Sequence, residues 1–131
     1  MSAESARKWL QYAEGDLKMA TYAETIGDIN NMRLHIQQCI EKSLKAVLIY
    51  ENREVPHTHN LLEIYGAISS DWSVKDVPCD LKRISTWVII GRYPVSYDEI
   101  PAEPDAKTSL AEARTILYAV KSEIKRRDST H

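Results

Sequence analysis

The chain has 131 residues, 44% of them hydrophobic and 27% charged, with a formal net charge of −2. That length suits one domain closed around one hydrophobic core, and the composition excludes a disordered chain. The slight negative charge argues against broad, non-specific nucleic-acid affinity, which depends on Lys and Arg neutralising phosphates, but it leaves room for a local basic groove.

The first apolar stripe is Ala6, Leu10, Ala13, Leu17 and Ala20, with Trp9 and Ala23 beside it. Its alternating steps of four and three mark one face of a helix. Ser2 or Ser5 is expected to cap its start, and Gly27 with Asp28 to end it. A second helix is expected from about Asn31 to Glu51, burying Ile36, Cys39, Ile40, Ser43, Leu44 and Val47. Gln38, Glu41, Lys42 and Lys45 cluster on the opposite side of that helix. The segment Arg53 to His59 breaks the pattern, with Pro56 disfavouring helical backbone at Val55.

Asn60 and Glu63 stand three apart, so a capping box can open a short third helix through Leu61, Ile64 and Ile68. Pro78 suits the first turn of a fourth helix, about Pro78 to Tyr93. It is apolar nearly all round at Trp87, Val88, Ile89 and Ile90, which predicts a central position. Pro94, Pro101 and Pro104 then hold an acid-rich loop carrying Asp98, Glu99 and Glu103. A fifth helix is expected from about Asp105 to Arg126, on Ala106, Leu110, Ala113, Leu117, Val120 and Ile124. No segment sustains period-two alternation. The expected architecture is a single all-α domain over residues 1–131: an up-and-down bundle of about five helices, four long and one short.

No apolar run approaches the ~20 residues of a membrane span. The N-terminus Met1-Ser2-Ala3-Glu4-Ser5 lacks the basic start and apolar stretch of a secretory signal. A soluble cytoplasmic protein without a membrane partner is therefore expected. Cys39 and Cys79 are too few for a disulfide framework or a four-thiolate metal site. Neither a Gly-rich phosphate loop, a nucleophile elbow nor a dinucleotide fingerprint occurs, so no cofactor is expected. Lys121, Lys125, Arg126 and Arg127 read as a solvated helix end whose cations complement the helix dipole.

Four places carry candidate chemistry. Arg92 falls in line with Leu81, Ser85 and Val88, where a charge is costly unless paired or facing a wet groove. It can cap carbonyls, pair with Asp98, Glu99 or Asp16, or offer its guanidinium fork to phosphate. Asp16 sits at the edge of the first apolar arc and reads as half of a structural ion pair, with Arg92, Lys42 or Lys45 as the other half. Gln38, Glu41, Lys42 and Lys45 form either a solvated stripe with an i,i+4 pair or one wall of a groove. His57 and His59 lack a nearby third ligand, so no metal is expected. His59 is either a local hydrogen-bonding residue or a general base, if a groove brings it to Arg92.

Several of these residues together carry a resemblance. Trp9-Leu10-x-x-Ala13-Glu14-x-Asp16-Leu17-x-x-Ala20 opens it, and the run Gln37 to Leu48 follows. Thr58-His59-Asn60-Leu61 and Gly91-Arg92-Tyr93-Pro94 complete it. The chain resembles the HEPN family (higher eukaryotes and prokaryotes nucleotide-binding), in a sub-type with an Arg-Tyr-Pro motif, over nearly its whole length. The resemblance implies a helical bundle, a homodimer, and a nucleotide or RNA as ligand. It also implies a minimal nucleotidyltransferase as partner, in a toxin–antitoxin type of pair. Ribonuclease-competent members carry an Arg and then, after four to six intervening residues, a His; here Tyr97, Asp98 and Glu99 stand at those places after Arg92. The resemblance therefore supports binding better than cleavage, with Arg92, Tyr93, His59, Lys42 and Lys45 as the candidate groove. A ribonuclease using Arg92 and His59, and a non-catalytic dimeric interaction domain, stay open as alternatives.

Overall fold

The computed structural model describes residues 2–90 and 103–130. Arg92, Tyr93, Tyr97, Asp98 and Glu99 lie outside the described residues, as does most of the Pro-bounded loop. The fold is all-α: α1 is Ser2–Thr25, α2 Ile29–Tyr50, α3 Leu61–Gly66, α4 Leu81–Ser85, α5 Trp87–Ile90 and α6 Glu103–Ser129, with a 3₁₀ turn at Ser73–Asp76. No strand occurs among the described residues.

Local chemistry explains the ends of the helices. Ser5 lies inside α1 instead of capping it. Gly27 takes φ +72°, and the N–H groups of Gly27 and Asp28 return to the Glu24 and Ala23 carbonyls. That is a Schellman ending, which a residue without Cβ adopts at little steric cost. Asp28 then caps α2 by accepting from the Asn31 N–H at 3.2 Å. Asn52, with φ +56°, ends α2 in the same way, through Asn52 and Arg53 N–H bonds to the Ile49 and Leu48 carbonyls. Asn60 caps α3 by accepting from the Leu62 N–H at 3.1 Å.

The central element is α2 and not the fourth predicted helix. It packs against α1, α3, α4, α5 and α6, and it buries Met32, Ile36, Ile40, Leu44, Val47 and Leu48. Polar side chains are buried with them: Arg33, Gln37, Glu41 and Ser43. Glu41 therefore does not stand on a solvated opposite face. α6 runs antiparallel to α1, since Arg7 pairs with Asp128 and Glu14 with Lys121.

The expected fourth helix is divided. Asp80 caps it by accepting from the Arg83 N–H, so it starts at Leu81 and leaves Pro78 outside. It breaks at Thr86, whose hydroxyl donates to the Arg83 carbonyl at 2.7 Å and competes with the helical ladder. Ser85 Oγ accepts from the Leu61 N–H at 2.8 Å and ties this break to the start of α3. α5 buries Trp87 against α2.

The C-terminal basic run also departs from a merely solvated end. Lys121 crosses to Glu14, and the Arg127 guanidinium lies 4.0 Å from the centre of the Trp72 ring while bonding Glu123 and Asp71. Burial pushes the pKa of the Cys39 and Cys79 thiols up to about 12, so both stay protonated at neutral pH. No described helix is long and apolar enough to cross a membrane.

Candidate polar site on the central helix

Along the middle of α2 a narrow polar strip reaches the surface: His35, Gln38, Lys42 and Lys45 are partly exposed. Their steps of three and four keep them on one face. Beneath them lie two carboxylates, Asp16 from α1 and Glu41 from α2 itself, exposed by only 8% and 4%. At that depth each needs compensating charge and hydrogen bonds.

The two carboxylates are satisfied in parallel ways. Asp16 Oδ2 accepts from Lys42 Nζ at 2.6 Å, and its Oδ1 from His35 Nδ1 at 2.8 Å. Glu41 Oε2 accepts from Lys45 Nζ at 3.0 Å, and its Oε1 from His59 Nδ1 at 2.9 Å and Gln37 Nε2 at 3.0 Å. Burial works against the Glu41 charge. The bonds from Gln37, His59 and Lys45, with the charge of Lys45, outweigh it and hold the carboxyl below its ordinary pKa of 4.5. Lys45 also lies 6.0 Å from the centre of the Trp9 ring.

The geometry orients two imidazoles. A ring whose Nδ1–H is held by a carboxylate carries its second nitrogen, Nε2, on the far side, free to give or take a proton or hydrogen bond. His59 comes from the segment before α3 and keeps about half its surface exposed, while Glu41 beneath it is buried. Gln37 steadies the same segment through the His59 carbonyl at 3.4 Å. Lys42 and Lys45 each already have a carboxylate, so the strip presents directed hydrogen-bonding groups more than bare positive charge.

Of the residues singled out from sequence, the structure brings Asp16 to Lys42, and Lys45 and His59 to Glu41. Arg92 and Tyr93 fall outside the described residues. Two residues escaped the sequence reading. His35 lies seven positions before Lys42 on the same face, and following the stripe two turns back would have found it. Arg33 is wholly buried, with its guanidinium carbon 5.8 Å from the centre of the Trp87 ring. It begins a line at steps of four, Arg33, Gln37 and Glu41, that is buried along the helix and emerges at the partly exposed Lys45. Arg83 lies 5.8 Å from the same Trp87 ring centre and donates to Ser109 Oγ of α6 at 3.0 Å. Among the described residues no three His, Cys, Asp or Glu side chains gather as they would around a metal ion.

The profile of the HEPN domain matches residues 6–123. Among solved structures, the chain is similar to TT1696 from Thermus thermophilus, at 28% identity and a TM-score of 0.72, over 89% of this chain and 96% of that one. It is also similar to ST0689, an archaeal HEPN homologue, at 25% identity and a TM-score of 0.63, over 91% and 97% of the two chains. No curated protein matches the chain significantly.

Proposed function

The chain belongs to the HEPN domain family, and from that premise we propose that it is a nucleotide- or RNA-associated module that works with a minimal nucleotidyltransferase partner. The observation that carries this reading is the pair of carboxylate–imidazole dyads, Asp16–His35 and Glu41–His59, set in one strip with Lys42, Lys45 and Gln38. An ordinary solvated stripe has no need to bury two carboxylates beneath it. A strip that must hold its donors in fixed directions does. Arg92 and Tyr93 join the proposal on their sequence positions alone.

The test is titration of the protein with ATP, AMP and a short single-stranded RNA, beside a melting curve for each variant. Wild type is expected to bind one of these classes, with His35→Ala and His59→Ala each weakening it about tenfold, the worth of one hydrogen bond involving charge. Absence of binding by a well-folded wild type would leave only the interaction-domain reading. A second reading, metal-independent RNA cleavage, is favoured by the Glu41–His59 dyad, which holds an imidazole as a general acid or base requires. The absence of His after Arg92 at the family's spacing points to little or no cleavage. Robust wild-type cleavage lost in His59→Ala would reverse that order.

The same proposal makes the protein a homodimer. Trp87 and Val88 are covered within the protomer, so the fourth predicted helix does not supply the contact through them. Tyr12 and Met19 do stand seven residues apart on one face of α1, exposed by 69% and 50%, and Ile26, 58% exposed, follows seven residues later in the turn after that helix. An aligned apolar face of this kind is what a second copy covers. Light scattering is expected to give twice the 15.0 kDa chain mass, and Met19→Glu to return the monomer.

A further inference from the structure

Away from the α2 strip, α1 and α6 form an outer seam whose register is set by two ion pairs, Arg7 with Asp128 and Glu14 with Lys121. Two hollows follow it, one of about 570 Å³ reaching Lys125 and one of about 490 Å³ reaching Arg114. The floor of the first is core, since Leu10 and Ile124 are only 3% and 1% exposed. What stands exposed along the seam is aromatic. Tyr22, 60% exposed, lines the second hollow together with Arg114. Tyr118, 73% exposed, projects from α6 on the face that carries Arg114 and Lys125, at steps of four and seven.

Cations alternate with these rings. Lys18 and Arg114 line the second hollow and Lys125 the first. None of the three makes a salt bridge among the described residues. The carboxylates lining the hollows, Glu14 and Asp128, are already taken by Lys121 and Arg7. Carried along the seam, the register of those pairs sets Lys18 level with Leu117 and Tyr118. The order is therefore Tyr22 beside Arg114, Tyr118 beside Lys18, and then Lys125. Arg114 and Lys125 stand eleven residues apart on α6, roughly 16 Å along the helix axis. A chain of net charge −2 thus keeps a row of uncommitted positive charge on one seam.

We propose that the α1–α6 seam binds single-stranded nucleic acid, with bases stacked on Tyr22 and Tyr118 and phosphates held by Lys18, Arg114 and Lys125. A single strand offers a flat π-face and an anion at every nucleotide, so a track of interleaved rings and cations answers both. Every base has such a face, and the seam therefore reads no sequence. An acidic amphipathic helix answers the charge alone, because its aliphatic anchors need apolar side chains within reach and Leu10 and Ile124 are sealed in the core. A duplex keeps its bases in the stack and offers the cations only phosphate. The seam extends the proposed nucleotide or RNA association and rests on it in that sense, but it is a separate surface from the strip of His35 and His59.

The probes are a fluorescein-labelled oligouridylate of about ten nucleotides and an oligothymidylate of the same length. Fluorescence anisotropy against the full chain is expected to show both binding in roughly the micromolar range at low salt. Affinity should fall about a hundredfold for a tenfold rise in salt, the slope for three phosphate contacts on a single strand. Tyr118→Ala and Arg114→Glu should each weaken binding about tenfold, whereas Tyr118→Phe, which keeps the ring, should match wild type. Both residues are exposed, so melting curves should stay at the wild-type position. A duplex of the same length should bind with no loss in Tyr118→Ala. The proposal is overturned if neither oligonucleotide binds or if Tyr118→Ala and Arg114→Glu leave affinity unchanged. It is overturned equally if an acidic amphipathic peptide binds with that dependence while the strands do not, or if light scattering shows Tyr118→Ala dissociating a homodimer. AMP is too short to span the seam, so AMP titration of His35→Ala and His59→Ala reports on the α2 strip alone and the two proposals fail separately.

Discussion

Replacing Glu41 with Ala is expected to lower folding stability by about 3–5 kcal/mol, as removing one member of a buried charge pair does. The change strands the Lys45 ammonium, which has little exposure, and removes the acceptor shared by Gln37 and His59. His59→Ala removes only the half-exposed partner and should leave stability nearly unchanged, so the two variants separate folding from ligand contact. The sign of the pH dependence follows from the depressed Glu41 pKa. The stabilisation is fully present above the unfolded-state value near 4.5 and is lost as pH falls through the lower folded value. Glu41→Gln should therefore be less stable than wild type at neutral pH and lose less stability on acidification. Denaturant melts at pH 7 and pH 3.5 measure both effects. A Glu41→Ala protein with wild-type stability would refute the account of the network.

Trp72→Ala is expected to cost about 3–5 kcal/mol as well, by a different route. The ring is wholly buried, meets Tyr50 edge-on at a centroid distance of 5.9 Å, and carries the Arg127 guanidinium at 4.0 Å. Arg127 in turn bonds Glu123, whose Oε1 accepts both the N–H and the hydroxyl of Ser73 at 2.7 Å. Removing the indole thus opens a cavity and loosens the pin between the end of α6 and the 3₁₀ turn. The indole N–H finds no acceptor among the described residues, so Trp72→Phe sacrifices no hydrogen bond there and should be far milder. Equal destabilisation by Ala and Phe would show that the ring's volume is not the source of the effect.

Much of this was written in local pattern. The α1 face from Ala6 to Ala23 and the α6 face from Ala106 to Ile124 declare themselves because one side of each helix meets protein and the other meets water. Period then encodes both helix and core. The stops at Gly27 and the start at Asn60 were equally legible, since Schellman endings and Asn caps need only a few neighbouring residues. Asp16 was recognisable as a charge wanting a partner because it borders an otherwise apolar arc. The four ordered motifs of the family were likewise present in the residues themselves, and residues 6–123 match that family.

What the sequence could not settle was which helix is surrounded. A solvated polar face and a buried, mutually satisfied polar face share one spelling, because Glu41 with Lys45 has the same i,i+4 spacing in either setting. Only the neighbours decide. Packing by α1 and α6, with the His59 segment crossing above, turned that pair into a buried network and made α2 the centre. The apolar fourth segment, central by composition, is a broken element because Thr86 bonds its own backbone. His35 illustrates the same principle from the other side, since its role exists only where α1 brings Asp16 within 2.8 Å. Local periodicity determined the helices and the ordered motifs carried the family resemblance, while long-range contact decided which charges are buried, because burial is a property of the surroundings and not of the residue.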